Sequence, residues 1–383
     1  MDFTLDQVLA WRMSRQFLSG PDAASTDTAP AEVASAGAGS TGTDPTGAAS
    51  IGAASAAAGS PGATSSGAAS AGAGSPGTDP TGADSARAVV ARLCGVQAQV
   101  ASAAEQAIAA RLGSSAADTG EAALDRRELI KVWAMRGTLH LLTAGDAAAC
   151  LSLMAAARTW EKGAWQRTFA TVGQVDALAD AVREILPGRV LGREQLAAEI
   201  LRVTRDESLG ELLGSGWGTV LKPLAWQGLL CHGPGDGNRV TFTSPETWFG
   251  DWAGLPAPEE AAARVVPAYL GAFGPATMET FDQWLIRGAS KRASLRGWFA
   301  DLARPGVITE VSVDGRRAYA RTADLDDIAA ATSMPPARLL PAFDQYVLGP
   351  GTGDEHLIAP HRRALISRTG GWIAPVVVAR GRA

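Results

Sequence analysis

The sequence predicts a mainly α protein with small β-hairpins, an α+β chain of three tandem winged-helix units and a short C-terminal β element. Two observations carry that expectation. A helix, a second and third helical stretch and then a hairpin signal recur three times in the same order. Each hairpin also closes on a glycine turn: Gly137 in the first, Gly233-Pro234-Gly235-Asp236-Gly237-Asn238 in the second, Asp314-Gly315 in the third. The first block reads as helices over about 5–18, 85–94 and 103–112 and a hairpin from Val132 to Leu142. A helical connector follows over about 146–170. The second block has helices over about 175–186, 192–202 and 216–230 and a hairpin from Cys231 to Thr243. The third has helices over about 259–272, 278–287 and 291–303, then a hairpin from Val307 to Ala320. The expected divisions are thus 1–145, 146–250 with the connector, 251–335, and a C-terminal β segment over 336–383 with strands such as Ala374 to Ala379.

One stretch does not fit this pattern. Residues 20–85 are almost entirely Ala, Gly, Ser, Thr, Pro and Asp, and Ala34–Ala48 returns nearly unchanged at Ala69–Ala83, with Thr41 replaced by Pro76. The repeat has no apolar face on which copies could stack. Too little apolar surface is available to offset its ordering entropy, so a disordered insertion into the first block is expected. The insertion also distorts the charge balance. Six acids and no Lys or Arg fall within 21–85, so the rest of the chain carries +1 against a formal −5 for all 383 residues. Overall charge therefore neither supports nor excludes a nucleic-acid partner, and a local basic face is compatible with it. Cys94, Cys150 and Cys231 form no C-x-x-C pair, which points away from a disulfide framework or zinc site. Without an apolar leader or a long apolar run, a reducing, cytoplasmic setting with no membrane partner is the expectation.

The chemistry is expected at Leu93-Cys94-Gly95-Val96-Gln97-Ala98-Gln99. Gly95 fits a left-handed residue closing one helix. Ser102 and Glu105 fit a capping box that starts the next near Ala103. Gln97 and Gln99 then lie on the connection. On a helix, residues two apart point about 200° from one another; on an extended segment they share a side. Two carboxamides could then converge on one ligand or water, or simply cap free backbone groups. Residue type alone leaves both readings open.

Arg92-Leu93-Cys94-Gly95-Val96-Gln97-Ala98-Gln99 resembles the R-L-x-G-h-Q-A-Q signature of the AlkZ-like (YcaQ-like) DNA glycosylases, a family of tandem winged helices. Further segments agree in order: Trp133-Ala134-Met135-Arg136-Gly137-Thr138-Leu139-His140, Gly228-Leu229-Leu230-Cys231, the run from Tyr269 to Thr277, and Arg338-Leu339-Leu340-Pro341-Ala342-Phe343-Asp344. The similarity spans roughly residues 4–19 and 86–380. It places Gln97 and Gln99 at the family's catalytic positions. An amide rather than an acid at Gln99 puts the chain with the Q-x-Q branch, associated with resistance to DNA-alkylating natural products and with crosslink unhooking. The resemblance implies a monofunctional glycosylase, without metal or cofactor, that hydrolyses the N-glycosidic bond of bulky N7-alkylguanine adducts or crosslinks. Its partner is double-stranded DNA carrying alkylated guanine, and a monomer is expected. The family usually continues past this C-terminus, so the closing β segment is expected to be shortened.

The bond chemistry is compatible with neutral amides. Glycosidic cleavage develops oxocarbenium character on the sugar. A guanine alkylated at N7 already carries positive charge and leaves without an acid, so positioning dominates. Orientation can supply several kcal/mol, about 7–11 at best. For DNA contact, Arg136, Thr138 and His140 alternate along an expected strand and share one face. The alternative is an ordinary strand edge with His140 satisfied by a backbone carbonyl. Asn238 and Arg239 sit at the second hairpin's turn, where wings commonly touch phosphate. Lys222, in Leu221-Lys222-Pro223, stands at the recognition-helix position. Gly214-Ser215-Gly216-Trp217-Gly218 lacks the strand and lysine of a phosphate loop, and His356 and His361 lack a compact ligand set. Trp133, Trp217, Trp226 and Trp284 read as core. A non-catalytic winged-helix protein, either a regulator or an adduct-sequestering protein, is the competing reading; base release from alkylated DNA separates the two.

Overall fold

Thr4 and Gln7 open the first helix, Leu5–Arg15, with a reciprocal cap: the Gln7 amide donates to Thr4 Oγ1 at 3.2 Å and the Thr4 amide to Gln7 Oε1 at 2.9 Å. The apolar residues around this helix divide between two partners. Phe3, Val8 and Trp11 pack with Val311, Ala318 and Ala320, while Met13 and Leu18 pack with Leu340, Phe343, Tyr346 and Val378. One helix near the N-terminus thus ties the third hairpin to the C-terminal segment. These features come from a computed structural model that describes residues 1–19, 83–113, 117–214, 218–237 and 239–383. The insertion over 20–82, Trp217 and Asn238 lie outside the described residues.

In chain order the strands are β1 (Asp2–Phe3), β2 (Val96–Gln97), β3 (Ile130–Trp133), β4 (Leu139–Leu142), β5 (Leu191–Gly192), β6 (Cys231–His232), β7 (Thr241–Thr243), β8 (Ile308–Val313), β9 (Arg316–Arg321), β10 (Arg338–Leu340) and β11 (Val376–Val378). The hairpins β3/β4 and β6/β7 join through one antiparallel pairing, Lys131 with His232, into a sheet ordered β2-β4-β3-β6-β7-β5. The third hairpin is separate, and β1 adds to it in parallel, with Asp2 opposite Ser312. Its turn holds Asp314 at φ 45° and Gly315 at φ 78°, the paired positive values a two-residue hairpin turn needs. β10 and β11 pair antiparallel, so the C-terminal segment closes a small sheet of its own.

The helices follow the apolar periodicity with instructive departures. Pro258–Phe273 buries Val265, Val266, Tyr269, Leu270 and Phe273, and an Arg264–Asp146 ion pair at 2.8 Å links it to the helix Ala144–Ala157. The expected helix over 216–230 is much shorter. Gly218 takes φ 62°, a single turn covers Thr219–Leu221, and Pro223 lies in the first turn of Lys222–Trp226, which ends before Gly228 at φ 71°. A helix at Ser208–Gly214, not anticipated, precedes it and buries Leu209 and Leu213. The Ser102/Glu105 box does not form. The helix Ala101–Ala109 starts earlier, after Val100 and without a side-chain cap. Glu105 instead caps the neighbouring helix Gly120–Asp125, accepting the amides of Gly120 at 2.8 Å and Glu121 at 2.9 Å.

The C-terminal segment is fixed to the first block by a buried charge network. Arg111 donates two bonds to Asp344, at 2.7 and 2.8 Å, and a third to Gln16 Oε1 at 3.3 Å; both ionic side chains are fully buried. The Tyr346 amide occupies the same carboxylate at 2.8 Å. Such a bidentate pair specifies geometry as well as attraction. No described helix is long and apolar enough to cross a membrane.

Candidate active site

The helix Ala86–Arg92 ends in a left-handed turn. Cys94, at φ 52°, donates to the Ala91 carbonyl at 3.2 Å, and Gly95 to that of Val90 at 2.9 Å. The left-handed position falls on Cys94, one residue before the expected Gly95. Gly95 is nevertheless required: its φ is +103°, and a Cβ there would meet Leu142 Cδ2 at 2.7 Å. This turn delivers Val96 and Gln97 into β2, where Gln97 pairs with His140 across β4. The Ala98 amide continues the contact to the Leu139 carbonyl at 2.7 Å, and the next helix then begins. The extended connection expected from sequence is therefore present.

Gln97 is buried and lines a cleft of about 880 Å³; Gln99 is exposed and is not among the residues lining it. Gln97 Oε1 accepts from Arg136 Nη2 at 3.3 Å. Gln99 Oε1 accepts from the Leu139 amide at 3.4 Å. Both carboxamide oxygens thus turn toward the β3/β4 hairpin. Arg136 also donates through Nη1 to the Trp284 carbonyl at 3.0 Å, so it bridges β2 and the helix Met278–Ile286.

The expected common face of Arg136, Thr138 and His140 is corrected by this geometry. Arg136 is in the hairpin turn at φ 59°, not in a strand, because the turn spans Met135–Gly137. Arg136 and Thr138 line the cleft, the Thr138 hydroxyl donating to the Met135 carbonyl at 3.1 Å. His140 is fully buried and cannot reach a phosphate. Its Nδ1 lies 3.0 Å from the Thr138 carbonyl, which can only accept, so Nδ1 carries the proton and the bare Nε2 is left without a partner. Burial first, then nearby Arg136, pushes this imidazole down to about 3. Arg136 itself is pulled down to about 10 by burial and by Arg287, and remains charged at neutral pH.

Lys222 is half-buried against the same hairpin turn; a Cβ on Gly137 would lie 3.9 Å from its Nζ. Burial and then Arg287 lower its pKa. Arg239 is exposed beside the second hairpin's turn, and neither cation lines the cleft. Trp133, Trp226 and Trp284 are core residues, as expected. His356 bonds through Nε2 to Arg316 at 2.9 Å.

The cleft also contains cations that sequence reading did not single out. Arg12, Arg136, Arg287, Arg316, Arg317 and Arg363 line it against three carboxylates, Glu279, Asp354 and Glu355. A chain with a net charge of −5 thus has a locally basic cleft. Arg287 carried a faint signal, as the residue before Gly288 at the end of a periodic helix; it caps that helix at φ 58°. Arg12, buried on the first helix, carried none.

The family model for DNA glycosylase AlkZ-like proteins matches residues 90–383. An interstrand DNA cross-link repair glycosylase of Streptomyces sahachiroi is 49% identical over 296 residues, covering 77% of this chain and 79% of the relative. The solved structure of the Streptomyces sahachiroi DNA glycosylase AlkZ matches with a TM-score of 0.80 at 41% identity, covering 100% of this chain and 87% of that one. By the extent of the family match and the identity to its relative, the chain belongs to the AlkZ-like DNA glycosylase family.

Proposed function

We propose that the protein excises bulky N7-alkylguanine from duplex DNA, as monoadduct or interstrand crosslink, and that Gln97 and Gln99 are its catalytic residues. The observation that carries this reading is Gln97 in the wall of a basic cleft, its carboxamide held by a charged arginine. A volume of about 880 Å³ lies toward the upper end of the 300–1,000 Å³ usual for ligand pockets. That leaves room for an extruded nucleotide with a large substituent. The relative's cross-link repair activity supports the same substrate class.

The cleft supplies what a cationic leaving group needs. N7 alkylation makes the departing base neutral, so no general acid is required. Of the cleft arginines, Arg287, Arg316, Arg317 and Arg363 hold the phosphates that flank the extruded nucleotide. The amides orient the reacting nucleotide and water. No lysine lines the cleft among the described residues, which favours base release without lyase chemistry. Three hairpins, each preceded by helices, support a division into three winged helices with Lys222, Asn238 and Arg239 as phosphate contacts. A monomer in a reducing cytoplasm, protecting its host against a DNA-alkylating natural product, completes the proposal; the three free, buried cysteines suit that compartment. The test is incubation with duplexes carrying single N7-alkylguanines, followed by chromatography for free base and cleavage of abasic sites. Tight binding without base release identifies a sequestering protein instead.

A further inference from the structure

The hydrogen bonds around the two glutamines determine which end of each amide faces outward. Arg136 Nη2 can only donate, and so can the Leu139 amide. The atoms they contact, at 3.3 and 3.4 Å, must therefore be the carboxamide oxygens. No described residue takes Nε2 of Gln97 or of Gln99. Arg136 cannot easily turn away, because its other arm holds the Trp284 carbonyl at 3.0 Å and its backbone is fixed in the left-handed turn. A positively charged partner on Oε1 also draws electron density from the carbonyl. That weakens the oxygen as an acceptor of a water proton and strengthens the N–H as a donor.

The geometry points to Arg136 as a positioning residue that locks Gln97 with its oxygen inward, so that Gln97 acts on the lesion as a hydrogen-bond donor through Nε2. The chemical class of its target follows. Departure of the base returns electron density to the purine ring, whose nitrogen and oxygen acceptors become stronger partners for an N–H as the bond breaks. A preorganised donor aimed there stabilises the transition state more than the ground state. The amide then assists the leaving group; it does not activate water as a base. The inference rests on the functional reading above and specifies the role of one residue within it.

Two substitutions at Gln97 separate the roles. Gln97→Met removes donor and acceptor, whereas Gln97→Glu removes the donor and strengthens the acceptor at similar size. Single-turnover release of 7-methylguanine from a duplex is measured for each. Both variants are expected to fall by about 10²-fold, the usual cost of losing one such donor, with Glu no faster than Met at any neutral pH. A Glu variant that outpaces Met overturns the inference, since Gln97 then works through its oxygen. At Arg136, Met is expected to lower the release rate while leaving duplex affinity and its salt slope unchanged, and Lys is expected to recover part of the rate by donating to Oε1. If Arg136→Met keeps the release rate and flattens the salt slope by about 0.9, Arg136 is a phosphate ligand and the inference fails. Should the Arg136 variants lose their thermal melt, the Gln97 pair decides alone. A wild-type protein that releases no base from any N7-alkylguanine duplex refutes the functional reading itself, an outcome distinct from all of these.

Discussion

Acid sensitivity follows directly from two histidines in the six-stranded sheet. His140 and His232 lie on β4 and β6, and each has a buried Nε2 without a partner. Burial is the main cause that pushes both imidazoles down to about 3, with Arg136 adding to it at His140 and Lys131 at His232. In the unfolded chain each titrates near 6.5. Between those values the unfolded chain binds more protons, so stability is full above pH 6.5 or so, falls as the pH drops below it, and stops falling from this source near pH 3. Lowering the pH from about 7 to about 5 removes about 2 kcal/mol per imidazole, about 4 for the pair. That is a large part of a total of roughly 5–15 kcal/mol. Urea unfolding at several pH values measures it. His232→Phe preserves the ring contacts to Trp133 and Phe242 and removes one titrating group, so it is expected to lose about half as much on acidification. Stability that does not change across this range, or an unchanged slope in the variant, rules out these two histidines as a source of acid sensitivity.

Other perturbations test the packing and the DNA surface. Asp344→Ala strands the fully buried Arg111 and is expected to cost about 3–5 kcal/mol in chemical unfolding. At Gly349 a Cβ would lie 2.1 Å from Phe273 Cδ1, so Gly349→Ala is expected to destabilise by about 1–3 kcal/mol in a thermal melt. Arg239→Ala and Lys222→Ala are each expected to flatten the log–log salt dependence of duplex binding by about 0.9 if both reach phosphate; equal slopes in wild type and both variants would place the DNA elsewhere.

Local patterns in the sequence disclosed much of this fold. Asp314-Gly315 announced its hairpin because only certain residues tolerate two consecutive positive φ values. Gln97 was found on an extended connection because the glycine stop signal and the apolar spacing both end just before it. The failures arose where a distant partner overrides a local rule. Glu105 matched a cap for its own helix, yet its carboxylate serves amides 15 and 16 residues away. Alternation placed His140 beside Arg136, but the turn at Met135–Gly137 breaks the strand, so one residue lines the cleft and the other is buried. Arg111 and Asp344, 233 residues apart, carried no sign of pairing, nor did Lys131 and His232, which merge two hairpins into one sheet. Sequence periodicity reports what each element buries; it does not report against what.

Glycosylase action through the two glutamines is tested most directly by comparing wild type with the Gln97→Ala/Gln99→Ala double variant on a duplex holding one 7-methylguanine. Wild type is expected to release the free base and leave an abasic site. The double variant is expected to be slower by about 10²-fold or more, about 2.7 kcal/mol of barrier, while its affinity for the duplex is nearly unchanged. Release by the double variant at the wild-type rate would contradict the assignment of the two glutamines.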